Sequence, residues 1–141
     1  MSPSAGDCVF CSIVAGATPA HVVASDDATL AFLDVRPVFP GHVLLVPRAH
    51  HETLTDLPPA LVAPLFDAAQ RLARAVEESM DAHGTFVAMN NRVSQSVPHL
   101  HVHVVPRRRK DGLRGVFWPR QRYGSDDEMA EVAARIRAAR S

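Results

Sequence analysis

The chain has 141 residues, with 15 Lys+Arg against 15 Asp+Glu and 47% hydrophobic residues. That length suffices for one domain with a real core, and the balanced charge gives no footprint for a nucleic-acid or membrane partner. No apolar run approaches the roughly 20 residues of a spanning helix, and "MSPSAGDCVF" lacks the basic start and apolar stretch of a secretory signal, so the expected setting is cytoplasmic and reducing.

In that setting Cys8 and Cys11, a C-x2-C pair, read as metal ligands or a redox pair rather than a structural disulfide. The pair is not expected to open a helix after a strand, which argues against a thioredoxin-like redox role. "ATLAFLDV" (28–35) reads as a strand, followed by the turn-rich "RPVFPGH". "HVLLVP" (42–47) reads as a short buried strand ended by Pro47. Asp56 reads as a helix N-cap with Pro58 and Pro59 in the first turn. Leu57, Leu61, Leu65, Leu72, Val76 and Met80 then recur at helical spacing, so one long amphipathic helix is expected, with Pro64 kinking it or delaying its start. "GTFVAMNN" reads as a strand entering a loop, and "HLHVHVV" (99–105) as a strand by strict alternation. "RRRKDGLRG" is a basic turn, and "SDDEMAEVAARIRAA" a terminal helix capped by Ser125. Strands outnumber helices without a βαβ rhythm, so the fold class is α+β with an antiparallel sheet, in a single domain over 1–141.

The histidine strand carries the chemistry. Alternation puts His99, His101 and His103 on one face, with Leu100, Val102 and Val104 on the other against the long helix. A polar, solvated face is the bland alternative. A three-histidine metal site fits poorly, because the outer Cα atoms of an extended strand lie about 13 Å apart while a zinc–nitrogen bond is about 2.1 Å. A division of labour is easier: one outer histidine serves another site and the middle one faces a reaction.

"HLHVHVV" matches at every position the histidine-triad signature, in which each of the three histidines is followed by an apolar residue and one more apolar residue closes the motif. The chain resembles the histidine-triad family more widely: in "CVFCSIVAGATPAHVV", in "FLDVRPVFPGHVLLVP" and in "QSV" (95–97), about residues 7–110 in all, followed by a basic loop and helix over 107–141. The resemblance implies a sheet of about five strands with one long helix and a C-terminal helix, the sheet extended across a homodimer. It implies a nucleotide hydrolase or transferase with His101 as the nucleophile that forms a nucleotidyl-imidazole intermediate. His103 would donate to the phosphate oxygens or leaving group, and His42 would support the pair. Gln95 and Ser96 match positions that donate to the scissile phosphate and leaving group; Ser94 departs from the usual glycine, and the loop is short. Asp34 matches the ribose-binding acid, and Phe10, Ile13 and Phe32 the apolar wall of the base pocket. Cys8, Cys11, His50 and His99 match a structural zinc set, with His51 the competing neighbour of His50.

His103, where another branch has glutamine, places the chain with the hydrolase branches. "RPVFPGHVLLVP" leans toward the fragile-histidine-triad-like branch, which cleaves dinucleoside polyphosphates. "QSV" leans toward the Hint-like branch, which cleaves nucleoside phosphoramidates. A nucleotide-binding sensor or scaffold with negligible turnover uses the same residues. The basic run 107–110 is a solvated loop or a lure for anionic substrate; it lacks the interleaved aromatics of a nucleic-acid platform. "FWPRQRY" with Trp118 could cover a partner's pocket.

Overall fold

A computed structural model of the chain describes residues 7–113 and 120–140. The chain divides into two compact units, Met1–Asp111 and Gly112–Ser141. In chain order the first holds α1 (Val9–Val14), β1 (Val22–Ser25), β2 (Thr29–Leu33), β3 (Val43–Pro47), α2 (Pro59–Ser79), β4 (Gly84–Ala88) and β5 (Val102–Arg107). The strands form one antiparallel sheet in the order β1-β2-β3-β5-β4, so the α+β expectation holds.

The sheet has two apolar faces. On one, Ala31, Val43, Leu45, Leu100, Val102 and Val104 meet Leu57, Leu65, Leu72 and Val76, with Leu61 and Met80 at the margin. The expected helical stripe is thus the stripe that packs, and each such fully buried side chain is worth about 1.5–3 kcal/mol. On the other face Leu30, Phe32, Leu44 and Val46 meet Cys8 and Phe10 of the α1 region. Among the described residues no helix is long and apolar enough to cross a membrane.

Several expectations need correction. Asp56 does not cap the long helix: it ends a single 3-10 turn, Leu54–Asp56, and its carboxylate accepts the Thr53 hydroxyl at 2.6 Å. The tandem prolines explain the shift, since each disfavours helical geometry in the residue before it, and Leu57 and Pro58 are extended. Pro64 does not delay the start either; it lies inside the helix, which begins at Pro59. The C-x2-C expectation needs no correction: Cys8 is the N-cap of α1 and accepts the Cys11 N–H, and no strand precedes it among the described residues. The ladder of β5 begins at Val102, three residues later than the alternation suggests. Pro98 has no N–H to pair, and the amides of His99 and Leu100 turn instead to the carbonyls of Val97 and His51. The alternation of faces survives: Leu100 and Val102 are buried in the helix-side core, while His99 and His101 contact Phe10 on the other side.

In the second unit α3 spans Asp126–Ala139, and Ser125 caps it by accepting the Glu128 N–H at 3.1 Å, as expected. Residues 114–119, including Trp118, lie outside the described residues, and with them the "FWP" that opens "FWPRQRY".

Candidate active site

The sheet register sets out the site. Leu44 of β3 pairs with His103 of β5, so the residue before β3, His42, comes up beside His103. Gly41 allows this: its φ is +97°, and a Cβ there would meet Met80 Cγ at 2.7 Å. The Asp34 N–H donates to the His42 carbonyl at 2.9 Å and closes the turn between β2 and β3.

Hydrogen bonds fix the tautomers in sequence. The Val38 N–H donates to His42 Nδ1 at 3.1 Å, so in the neutral ring Nε2 carries the proton. That Nε2 lies 2.9 Å from His103 Nδ1 and donates to it, which leaves the proton of neutral His103 on its own Nε2. Asp34 Oδ2 is 3.7 Å from His42 Nε2. His101 is held separately: its Nδ1 is 2.8 Å from the His99 carbonyl, an acceptor only, so Nδ1 is the donor and Nε2 keeps its lone pair. Among the described residues that Nε2 has no protein partner.

Burial, then the neighbouring His101 and His42 rings, hold His103 down to about 4 and outweigh the pull of Asp34. Burial lowers His42 too, with Asp34 opposing. Both are therefore neutral donors at pH 7. Unfolded histidine titrates near 6.5, so the unfolded chain binds more protons between that pH and about 4. The stability His103 contributes is fully present above about 6.5 and is lost as pH falls toward 4. His103→Gln, which keeps a donor and an acceptor but cannot titrate, should lose less stability than wild type between pH 6.5 and 4.5, by up to about 2 kcal/mol. Urea midpoints at the two pH values check this; parallel losses would contradict it.

His101 and His103 line a cleft of about 350 Å³. Phe10, Ile13 and Phe32 form an apolar wall, and Asp34 and Ser96 lie at its polar side. The expected base-pocket and ribose residues thus meet His101 and His103 in one cavity, while His99 lies outside it with the cysteines. Gln95 is not among the lining residues: its amide nitrogen donates to the Glu52 carbonyl at 2.6 Å and its oxygen accepts the Arg92 N–H at 2.8 Å, so it shapes the loop. Ser94 holds φ +61°, a left-handed geometry that explains why a glycine suits this position.

Two side chains of the basic run, those of Arg107 and Arg108, are held by the fold, while Arg109 and Lys110 are exposed. The Arg107 guanidinium forks onto Asp111 at 2.7 and 3.1 Å, and Arg108 donates at 2.6 Å to the Met80 carbonyl at the end of α2.

Cys8, Cys11, His50 and His99 gather so that one ligand atom from each lies within 4.8 Å of all the others. His99 Nε2 donates to the Pro47 carbonyl at 2.8 Å, which turns the bare Nδ1 toward Cys8 Sγ at 3.4 Å and Cys11 Sγ at 3.5 Å. Cys11 Sγ is 3.3 Å from His50 Nδ1. These separations match the sulfur–nitrogen edge of about 3.6 Å in a tetrahedron with zinc bond lengths of about 2.3 and 2.05 Å. Burial and the adjacent Cys8 push the Cys11 thiol up to about 11, and a divalent cation among the four would reverse that balance. His50, not His51, joins the cluster. Asp34, His42 and His103 also lie close enough to hold an ion, but the Val38 N–H on His42 Nδ1 keeps the proton on the nitrogen that would have to bind it.

Sequence reasoning missed the main-chain groups that set the tautomers: the Val38 N–H and the His99 and Pro47 carbonyls. Every residue has them, so no side-chain pattern marks them. It also missed Leu44 in the cleft wall, which the two-residue period from His42 could have found.

The HIT-domain model matches residues 15–110. An uncharacterized HIT-like protein of Mycobacterium tuberculosis is 43% identical over 108 residues, 75% of this chain and 75% of its own. An adenylylsulfatase of Arabidopsis thaliana is 33% identical over 109 residues, 76% of this chain and 55% of its own. An adenosine 5'-monophosphoramidase of Saccharomyces cerevisiae is 33% identical over 115 residues, 81% of this chain and 71% of its own. Among solved structures, a HIT family member from Bacillus subtilis has TM-score 0.88 at 31% identity, covering 96% of this chain and 98% of that one. A zinc-bound histidine triad family protein from Mycobacterium smegmatis has TM-score 0.74 at 38% identity, covering 97% and 100%.

Proposed function

The chain belongs to the HIT-domain family, and on that premise we propose that it hydrolyses nucleotides in which a nucleoside phosphate is joined to a leaving group, through a nucleotidyl-His101 intermediate. The observation that carries this reading is the spent Nδ1 of His101, bonded to the His99 carbonyl, beside an Nε2 with no partner among the described residues. That is the protonation state a nucleophilic imidazole needs. In the first step Nε2 forms a bond to phosphorus as the bond to the leaving group breaks, the leaving group departing with that electron pair and, where it is an amine, with a proton from solvent; the Nδ1 proton stays on the now cationic ring, facing the carbonyl. In the second step water attacks phosphorus and gives up a proton to solvent, the N–P electron pair returns to Nε2 to restore the neutral ring, and nucleoside monophosphate leaves.

His103, neutral at pH 7, acts as a hydrogen-bond donor through Nε2–H to the phosphate oxygens, where charge grows in the transition state. Ser96 donates to the phosphate or leaving group from the rim, Asp34 accepts from ribose hydroxyls, and the aromatic wall holds the base. Gln95 acts through the shape of the loop. The monophosphoramidase and adenylylsulfatase relatives favour small leaving groups on AMP over dinucleoside polyphosphates. Incubation with labelled adenosine phosphoramidate and with a dinucleoside polyphosphate tests the reading. Release of labelled AMP is expected, faster from the phosphoramidate. No release from either would leave a binding module.

We further propose that zinc is held by Cys8, Cys11, His50 and His99 as a closed structural site, a reading supported by the edge lengths above and by the zinc-bound relative. A cytoplasmic setting would keep both thiols available to it. The chain is also proposed to form a homodimer. β4 is an edge strand carrying Val87 at 44% exposure, and α2 beside it exposes Val62 and Phe66. Pairing two β4 edges would continue the sheet and cover these side chains. Light scattering at micromolar concentration should give twice the 15.3 kDa chain mass; a value at the chain mass would contradict the dimer.

A further inference from the structure

We propose that α1 couples the Cys–His cluster to the nucleotide cleft, with Phe10 as the positioning residue between them, so that metal and nucleotide each tighten the binding of the other. The inference rests on the nucleotide reading of the cleft. Its basis is a shared set of residues. Phe10 lies between the two cysteines in sequence, and its ring packs edge-on against His99 at 5.9 Å and His101 at 5.1 Å, and against Phe32 at 5.4 Å. Val9, Phe10 and Ile13 of the same helix form part of the cleft wall.

The two sides of the cleft are held differently. The triad side is fixed without a metal: His99 is fully buried and bonded to the Pro47 carbonyl, and its own carbonyl holds His101. The part of the wall supplied by α1 is a six-residue helix, too short to persist on its own. Cys8 and Cys11 tether it to His99 and His50, and Phe10 packs it on the sheet. Loss of an ion from the cluster therefore loosens the wall and spares the nucleophile's tautomer. Nucleotide affinity should fall, while the rate at saturation should change little on the folded fraction. By linkage, a base seated against Phe10 must raise metal affinity by the same factor.

The test titrates zinc into reduced, full-length protein against a competing chelator, with and without saturating AMP. A gain in zinc affinity of about tenfold with AMP is expected, and AMP affinity should drop by the same factor when zinc is withdrawn. Phe10→Ala should still bind one zinc per chain, but the AMP-dependent gain should shrink to less than about twofold. For the hydrolysis itself, zinc removal should raise KM and leave kcat nearly unchanged. Zinc affinity that stays the same with AMP, while AMP demonstrably binds the zinc-loaded protein, overturns the coupling and leaves the nucleotide reading intact. Absence of AMP binding to zinc-loaded protein overturns both. An undiminished gain in Phe10→Ala removes Phe10 from the link.

Discussion

His101→Ala is expected to lower turnover of a nucleoside phosphoramidate by several powers of ten while leaving AMP affinity within roughly threefold of wild type. The split follows from what the ring touches. Its Nε2 is the nitrogen left unspent, whereas base and ribose would be held by Phe10, Ile13, Phe32 and Asp34, none of which the substitution removes. The carbonyl of His99 loses its donor in the variant, at a cost of about 1–3 kcal/mol in stability, so folding is verified by thermal melt before rates are compared. His101→Gln gives a second variant that can still donate to that carbonyl. If either folded variant kept a tenth of wild-type activity, His101 would not be the nucleophile. Loss of AMP binding together with turnover would instead make it a ligand contact.

Withdrawal of metal is the other large effect. Protein purified under reducing conditions without chelator should carry one zinc per chain, and a strong chelator should lower its stability by several kcal/mol, a drop in Tm of more than roughly 10 °C. The cluster ties the N-terminal segment to His50 beyond β3 and to His99 ahead of β5, and one of its members, the Cys11 thiol, is disfavoured by burial in its charged form. Cys8→Ser and His50→Ala should each reproduce the loss without chelator. Protein free of zinc, or a melt unchanged after complete removal, would count against a structural site.

The fold was legible where one period dominated. The stripe from Leu57 to Met80 and the alternation from His99 to Val104 each repeat a single geometry, and both pack as their spacing implies. It was illegible where prolines competed with pattern. Pro58 and Pro59 moved the helix start away from Asp56, and Pro98 detached the first two triad histidines from the ladder. The short elements α1 and β1 have too few residues for a period to show. In the site, the residue types came from resemblance to a family motif. A division of labour among the three histidines was legible from the strand spacing, but the tautomers were not, since they are set by the His99 and Pro47 carbonyls and by His42, which only folding brings into reach. The involvement of Gln95 in the loop could not be read from "QSV" at all.

The cluster has a consequence in time as well as in space. Cys8 and His99 are 91 residues apart in the chain, so the contact closes one of the longest loops the first unit contains. Closing a loop of that length early is entropically expensive, and the cost falls only when the intervening strands have already drawn its ends together. His99 lies just ahead of β5, which pairs with β3, so the contact is expected to form once those strands have docked. An ion bound there would thus be a latch fastened after the door has shut. Stopped-flow measurements should find that zinc slows unfolding strongly and changes the folding rate little, as expected for contacts absent from the transition state. A zinc-accelerated folding limb with an unchanged unfolding limb would instead make the N-terminal segment part of the nucleus.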